Sequence, residues 1–409
     1  MLNWANRFNI CCFLDNHEYH SAHGNIECLA AAGVHRFYSP AEKPLSGLDE
    51  FIHDTNDWLF GHLGYELKNE LYPTSSSQSD SFGFPALYFF QPEIVVELNH
   101  NRLTISSLTK SPGEIFAEII AVKHEQPATM ASVNILPRMS REAYIEHIEK
   151  ILLHIKRGDC YELNYCQEFY AHHALIHPLN IYLQLTRISP NPFSCFYKLD
   201  DKYVLCASPE RYLQKKGNRL LSQPMKGTFK RNLSNAADDF ALKTALQESE
   251  KERSENVMVV DLVRNDLSKI CAEGTVRVDE LFGVYSFPQV HQMVSSITGM
   301  LKDGTSFHSI LKASFPMGSM TGAPKKKVLE LIEQYEKTGR GVYSGSIGYI
   351  HPNGDFDFNV VIRSILYNAV TQYLSYHVGS GITFYSNPEK EYEECLLKAA
   401  AIKEVLEQS

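Results

Sequence analysis

The chain has 409 residues, enough to bury a large core, and its 39 basic against 48 acidic residues leave a formal charge of -9. That balance excludes a general nucleic-acid or anionic-membrane surface. Nine scattered cysteines frame no zinc site and predict reduced, buried thiols; no apolar run is long enough to span a bilayer and no charged-then-apolar leader opens the chain, so a cytoplasmic location is expected.

No low-complexity linker divides the sequence. A sheet-rich first lobe, 1–135, is expected to pack with a second region, 136–409, as one compound domain. From Phe8 to about Pro137, short apolar runs such as Cys11 to Leu14 and Ile94 to Leu98 alternate with polar turns, the pattern of strands. Pro73 to Asp80 reads as a surface loop by composition. His20, His23 and His35 are spaced unlike metal ligands, and the lobe carries no catalytic constellation.

The first strongly marked helix is predicted from Ser140 to Arg157. Ser140 is a capping residue, Glu142 suits the positive end, and Tyr144, Ile148, Ile151, Leu152 and Ile155 recur at helical spacing. Gly158 then lets the chain leave in a left-handed turn. Asp159 to Tyr165 follows as a strand. Phe193 to Tyr197 and Tyr203 to Cys206 flank Asp200-Asp201 as a hairpin, and Tyr212-Leu213 pairs with Leu220-Leu221 around Gly217-Asn218. These strands deliver Glu210 and then Lys226 to neighbouring strand ends. Between Met225 and Gly227 the Lys226 side chain is open to dehydration, which disfavours an ammonium and leaves a nucleophilic amine. Taken alone, the segment is better described as a surface turn with a solvated lysine, since most lysines are exposed and unreactive; company elsewhere in the chain reverses this.

Glu248 to Leu267 is predicted helical, with Glu252 and Glu255 three apart on one face. Glu389 to Lys398 repeats the arrangement with Glu391 and Glu394, and Lys398 stands a turn further on. Each pair by itself also suits a solvated helix start. Together they make an oxygen-rich site for one hard cation, magnesium rather than zinc, since no cysteine or histidine accompanies them. Between the two, Phe315 to Lys325 carries Gly318, Ser319, Thr321 and Gly322 ahead of a helix that starts near Pro324, a setting for an anion. Asn353-Gly354 marks a hairpin between Ser344 to Ile350 and Phe356 to Tyr367. In its second strand Asn359, Val361 and Arg363 share a face, which points Arg363 either inward to an anionic partner or outward to a surface ion pair. Gly379, Ser380 and Gly381 offer unobstructed backbone amides.

The stretches GDCYELN, ASPERYL, QPMKGTFKR, SENVMVVDLVRNDL, FPMGSMTGAPK, YSGSIGYI, VVIRSI and GSGITFYSNPEKEYEEC follow one another from Gly158 to the region of Lys398. With them the sequence resembles the chorismate-utilising enzymes, which include anthranilate synthase, aminodeoxychorismate synthase component I, and the isochorismate and salicylate synthases. The resemblance implies an α/β fold, two large antiparallel sheets facing each other with helices outside. Lys226, in PMKGT, resembles the aminodeoxychorismate synthases, whereas anthranilate synthases are expected to carry alanine there. Isochorismate and salicylate synthases need a water-activating lysine where this chain has Glu162. The function implied is amination of chorismate to 4-amino-4-deoxychorismate, towards p-aminobenzoate and folate; anthranilate synthase component I and isochorismate or salicylate synthase are the alternatives.

The resemblance also assigns roles. Glu210 would protonate the departing hydroxyl and Lys226 would be a covalent nucleophile. Glu252, Glu255, Glu391 and Glu394 would hold magnesium. Gly227, Thr228, Ser319 and Lys398 would contact the substrate, and Tyr343, Arg363, Gly379, Ser380 and Gly381 would hold its enolpyruvyl carboxylate. Gln292 stands where anthranilate synthases carry a histidine associated with pyruvate elimination, which agrees with a product that keeps its side chain, with His291 beside it as a partial substitute. No glutaminase nucleophile elbow is found, so ammonia is expected from a separate glutamine amidotransferase subunit. The first lobe lacks the leucine, acid and serine signature of tryptophan-sensitive members.

Overall fold

Side chains of the strand Ile10–Asp15 divide by the two-residue period of an extended backbone: Cys12 enters a core between two sheets, while Cys11 and Phe13 enter a second core beneath helices. The same division repeats along Phe193–Leu199, where Cys195 and Tyr197 face the other sheet and Phe196 faces the helices. The computed structural model describes residues 1–19, 24, 26–72, 80–122, 133–287 and 289–407. The loop expected at Pro73 to Asp80 falls outside these residues except for Asp80, and so do His20 and His23.

Among the described residues the strands pair antiparallel into an 11-stranded and a 10-stranded sheet. The first runs from Gly322–Ala323 through Glu162–Ala171, Tyr373–Thr383, Ser364–Asn368, Lys202–Ser208 and Phe193–Leu199 to Ile10–Asp15 and beyond. The second runs from Met225–Lys230 through Val290–Met300, Arg219–Gln223, Arg211–Lys216, Phe356–Asn359 and Ser346–Ile350 to Leu59–Leu63 and beyond. Phe60, Phe89 and Phe358 from the second sheet meet Cys12, Tyr197 and Leu366 from the first in the inner core. Residues on both sides of position 135 supply strands to both sheets, for example Ile94–Asn99 to the first and Leu87–Gln91 to the second.

Helices Arg141–Arg157, Pro178–Ile188, Lys325–Tyr335, Pro388–Lys398 and Ala400–Glu407 bury their apolar faces on the outside of the first sheet. The capping reading of the first holds: the Ser140 hydroxyl accepts from the Ala143 amide, and Gly158 leaves at φ +82°. Glu250–Ile270 starts at Ser249, whose hydroxyl accepts from the Glu252 amide. The three expected hairpins form, Phe193–Leu199 with Lys202–Ser208, Arg211–Lys216 with Arg219–Gln223, and Ser346–Ile350 with Phe356–Asn359. No described helix is long and apolar enough to cross a membrane. The nine cysteines are free and buried.

One expectation is corrected. The strand predicted from Phe356 to Tyr367 is two strands, Phe356–Asn359 in one sheet and Ser364–Asn368 in the other. Residues 360–363 cross between the sheets, and Arg363 takes φ +51°, so Asn359, Val361 and Arg363 do not share a strand face. Ser208-Pro209-Glu210 crosses in the same way, from Lys202–Ser208 in the first sheet to Arg211–Lys216 in the second.

Candidate active site

The two crossings bring Glu210 and Arg363 to one cavity of about 100 Å³. Strand Met225–Lys230 contributes Lys226, Gly227 and Thr228; helix Glu250–Ile270 contributes Glu252 and Glu255; helix Pro388–Lys398 contributes Glu394 and Lys398. Ser319, Tyr343, Gly379 and Gly381 also line it. Most of the residues singled out in the sequence are thus gathered in one place. Gly227 sits at φ +81°, and a Cβ there would lie 2.9 Å from Glu252 Oε2 and 3.2 Å from Leu246 Cδ1. Glycine therefore lets this strand bulge against the helix that carries the glutamates.

Lys226 is not the neutral amine that dehydration alone predicts. Its Nζ lies 2.5 Å from Oε1 of Glu162, which is 1% exposed. Burial works against the ammonium, but Glu162 and then Glu255 outweigh it and hold the lysine above its ordinary value. The second carboxylate oxygen of Glu162 has no hydrogen-bond partner among the described residues. A Cβ at Gly381 would collide with Lys226 Nζ and lie 2.9 Å from Glu162 Oε1, so this glycine clears the space the ion pair occupies.

Burial pushes the Glu210 carboxyl up to about 7, against the Ser319 hydrogen bond and the charges of Lys226 and Arg363. Ser319 Oγ donates to Glu210 Oε1 at 2.7 Å, so this serine supports the acid. Asn164 in turn donates to the Ser319 carbonyl at 2.8 Å. Burial lowers the Arg363 guanidinium to about 10, with Glu210 the acid that opposes this. Arg363 donates to Gln292 Oε1 at 3.3 Å, the Thr228 hydroxyl donates to the same oxygen at 2.9 Å, and Gln292 Nε2 donates to the Gly227 carbonyl at 2.8 Å. Gln292 therefore braces three elements of the wall. His291 faces the other side of its strand, where Ser286 lies 2.9 Å from Nδ1 and Asp239 Oδ1 3.1 Å from Nε2. It is no substitute for Gln292, because neighbours on a strand point to opposite faces.

By the same period the Ser380 side chain shares the helix-side face with Val378 and Ile382, which lie in the outer core, while its neighbours Gly379 and Gly381 line the cavity. Glu391 is buried but does not line the cavity. It lies 3.8 Å from Lys251 Nζ, which is also 4.0 Å from Glu252 Oε1 and 3.8 Å from Glu255 Oε1. Glu394 pairs with Lys398 at 2.7 Å, and Lys398 donates to the Gly379 carbonyl at 3.1 Å. Lys398 foremost, with burial opposing, holds Glu394 below the usual carboxylate range, whereas burial raises Glu252 and pushes Glu255 up to about 7. Among the described residues no three acidic, histidine or cysteine groups already converge on one ion position. The donor set still fits a hard cation in kind: it is all carboxylate, and burial disfavours the charge of Glu252 and Glu255, a cost that a cation bound between them would offset.

Arg340, Asn164 and His377 were missed in the sequence. Arg340 is 1% exposed and ties Glu336, the Met320 and Asn164 carbonyls and Ser344 together, an arrangement that only long-range contacts reveal. His377 lines the cavity and stacks on Tyr343, with ring centroids 5.0 Å apart and planes 18° apart. A larger cavity of about 690 Å³, lined in part by Tyr19, Pro192, Phe193 and Tyr285, meets this one at Pro209 and Met225 but does not contain Lys226.

The chain belongs to the chorismate binding enzyme family, whose pattern it matches over residues 12–404. It is similar to the chloroplastic aminodeoxychorismate synthase of Arabidopsis thaliana, 40% identical over 277 residues, a stretch that is 67% of this chain and 30% of that protein. It is similar also to aminodeoxychorismate synthase component 1 of Bacillus subtilis, 31% identical over 371 residues, 87% of this chain and 78% of that one. In fold it is like anthranilate synthase component I of Streptococcus pneumoniae, with a TM-score of 0.80 at 24% identity, covering 94% of this chain and 95% of the other. The two facing sheets expected from the sequence are those of this family.

Proposed function

We propose that the chain is the chorismate-aminating component of an aminodeoxychorismate synthase, acting in the cytoplasm on chorismate and on ammonia from a separate glutamine amidotransferase. Its product, 4-amino-4-deoxychorismate, would lead to p-aminobenzoate and folate. The reading rests on one observation above the others: a lysine, Lys226, is ion-paired to Glu162 inside the cavity that holds Glu210.

In this reading Lys226 Nζ passes a proton to Glu162 and attacks ring carbon two. The carbon-four hydroxyl leaves as water with the proton of Glu210, whose carboxyl at about 7 keeps that proton available near neutrality. The first attack displaces both conjugated double bonds of the ring. Ammonia then adds at carbon four, the two double bonds shift back and the carbon–lysine bond breaks; the surplus ammonium proton returns to Glu210, and the lysine recovers its own from Glu162. Arg363, half-buried and without a carboxylate ion pair among the described residues, faces the enolpyruvyl carboxylate together with Tyr343. Gln292, which cannot shuttle a proton as imidazole does, leaves that side chain in place. Glu252, Glu255, Glu391 and Glu394 would hold Mg2+. Bound there, the ion supplies positive charge to the ring carboxylate.

The test is the product formed from chorismate, magnesium and an ammonium salt, identified by chromatography and mass spectrometry. Aminodeoxychorismate without pyruvate is expected. Anthranilate with pyruvate, or isochorismate, would overturn the reading.

A further inference from the structure

Three histidines of the described chain are almost fully buried: His62, His291 and His377, at 0%, 1% and 4% exposure. Two have both ring nitrogens engaged. His62 meets the Tyr197 hydroxyl at 3.0 Å and the Pro85 carbonyl at 2.8 Å, and His291 meets Ser286 and Asp239. His377 has no hydrogen-bond partner on Nδ1 or Nε2 among the described residues. Leaving such atoms unmatched is costly, and folded chains keep few of them. The unmatched imidazole is also the one that lines the reaction cavity.

Its surroundings explain why no protein group answers it. On strand Tyr373–Thr383 the helix-side positions are Leu374, Tyr376, Val378 and Ile382, so His377, Gly379 and Gly381 face the opposite sheet. The two glycines carry no side chain, and His377 is therefore the end wall of the trough they form. Opposite it, Glu168 is already engaged by the Tyr373 hydroxyl at 2.7 Å and by Arg138 at 2.7 and 2.9 Å. Tyr343 offers its ring face, while its hydroxyl lies 3.8 Å from Cys166 Sγ. At the other end of the strand Thr383 donates to Glu255 at 3.3 Å, which fixes the carboxylate-rich end of the trough. Positions 377 and 381 stand about 13 Å apart at roughly 3.3 Å per residue, and the cavity between them is lined by Lys226 and Tyr343.

We propose that His377 is a direct substrate contact: its imidazole donates a hydrogen bond to an oxygen of the enolpyruvyl side chain, at the end of the cavity remote from the glutamates, while the stack on Tyr343 fixes the ring plane. Burial lowers His377 to about 4, so the imidazole is neutral and serves as a hydrogen-bond donor rather than an acid. This deepens the function proposed above and rests on chorismate lying in that cavity.

Chorismate binding to the full chain, measured by calorimetry without ammonium, tests it. His377→Phe keeps a ring on Tyr343 and removes the donor, whereas His377→Gln restores an N–H. The expected result is a dissociation constant raised about tenfold in the phenylalanine variant and within about threefold of wild type in the glutamine variant. Equal affinity of wild type and His377→Phe, or equal weakening of both variants, would overturn the assignment. A second measurement needs no substitution: in wild type with 15N-labelled histidine, chorismate should move one imidazole nitrogen resonance of His377, and unmoved resonances would refute the contact. If the wild type makes anthranilate or isochorismate while His377→Phe still binds weakly and His377→Gln tightly, the function above fails and the contact stands. No chorismate binding by the wild type would overturn both.

Discussion

Glu162 Oε1 and Lys226 Nζ, 2.5 Å apart, come from different sheets, one from the strand Glu162–Ala171 and the other from Met225–Lys230. The proposed nucleophile thus rests as an ammonium beside its own proton acceptor. Glu162→Gln keeps the size of the side chain and removes the acceptor. Amination is expected to fall about 10²- to 10⁴-fold while chorismate binding is retained, read from initial rates and calorimetry. Lys226→Ala should lose as much and also abolish any chorismate-derived mass on intact protein quenched during turnover. An unchanged rate in the alanine variant would remove the covalent role.

Glu210 acts in its protonated form, so kcat/KM should be level below pH 7 and decline above it, following a carboxyl pushed up to about 7. Because the folded value lies above the unfolded one, the stability this group contributes is complete at acid pH and is lost as the pH rises through about 7. Ser319 hydrogen-bonds Glu210 and lowers it. Ser319→Ala is therefore expected to move the alkaline limb to higher pH, and a shift to lower pH would contradict the arrangement. Glu210→Gln should lose the limb altogether, along with about 10²- to 10⁴-fold of the rate.

Gly381 has room for no Cβ because Lys226 Nζ and Glu162 Oε1 fill that space. Gly381→Ala should cost about 1–3 kcal/mol of stability by overpacking and, by displacing the lysine, roughly 10²-fold in rate. Thermal unfolding together with initial rates checks both. Wild-type activity in this variant would mean that the ion pair is not the reacting arrangement.

Arg340 is a structural counterpart to these polar groups. Its guanidinium donates to Glu336 at 2.6 and 2.9 Å, to the Met320 carbonyl at 2.7 Å, to the Asn164 carbonyl at 2.9 Å and to Ser344 at 3.1 Å. Arg340→Ala would take from Glu336, 4% exposed, the guanidinium that donates to both of its carboxylate oxygens. A loss of about 3–5 kcal/mol is expected in denaturant unfolding. A much smaller loss would mean that the surrounding groups repack around the gap.

The helix ends and hairpins were legible in the sequence because caps and turns are local. Ser140, Gly158, Asp200-Asp201 and Gly217-Asn218 each act within a few residues. The gathering of Lys226, Glu210 and the glutamates followed from the family resemblance. What stayed hidden depends on which way a chain turns between sheets. Nothing in residues 356–367 distinguishes one long strand from two strands in different sheets, since both read as apolar alternation. His291 stands one position from Gln292, and on a strand one position is a change of face. The Lys226–Glu162 pair and the unmatched His377 are long-range facts that spacing does not encode.

Glu210 and Arg363 lie on the two chain crossings, and Lys226 and Glu162 on opposite sheets. No single sheet owns the chemistry. A folding intermediate with either sheet formed alone would carry at most one half of the lysine pair, so it would be inert towards substrate. Recovery of activity during refolding should then lag the recovery of β-structure and coincide with closure of the inner core, which makes turnover a reporter of the joining of the two halves.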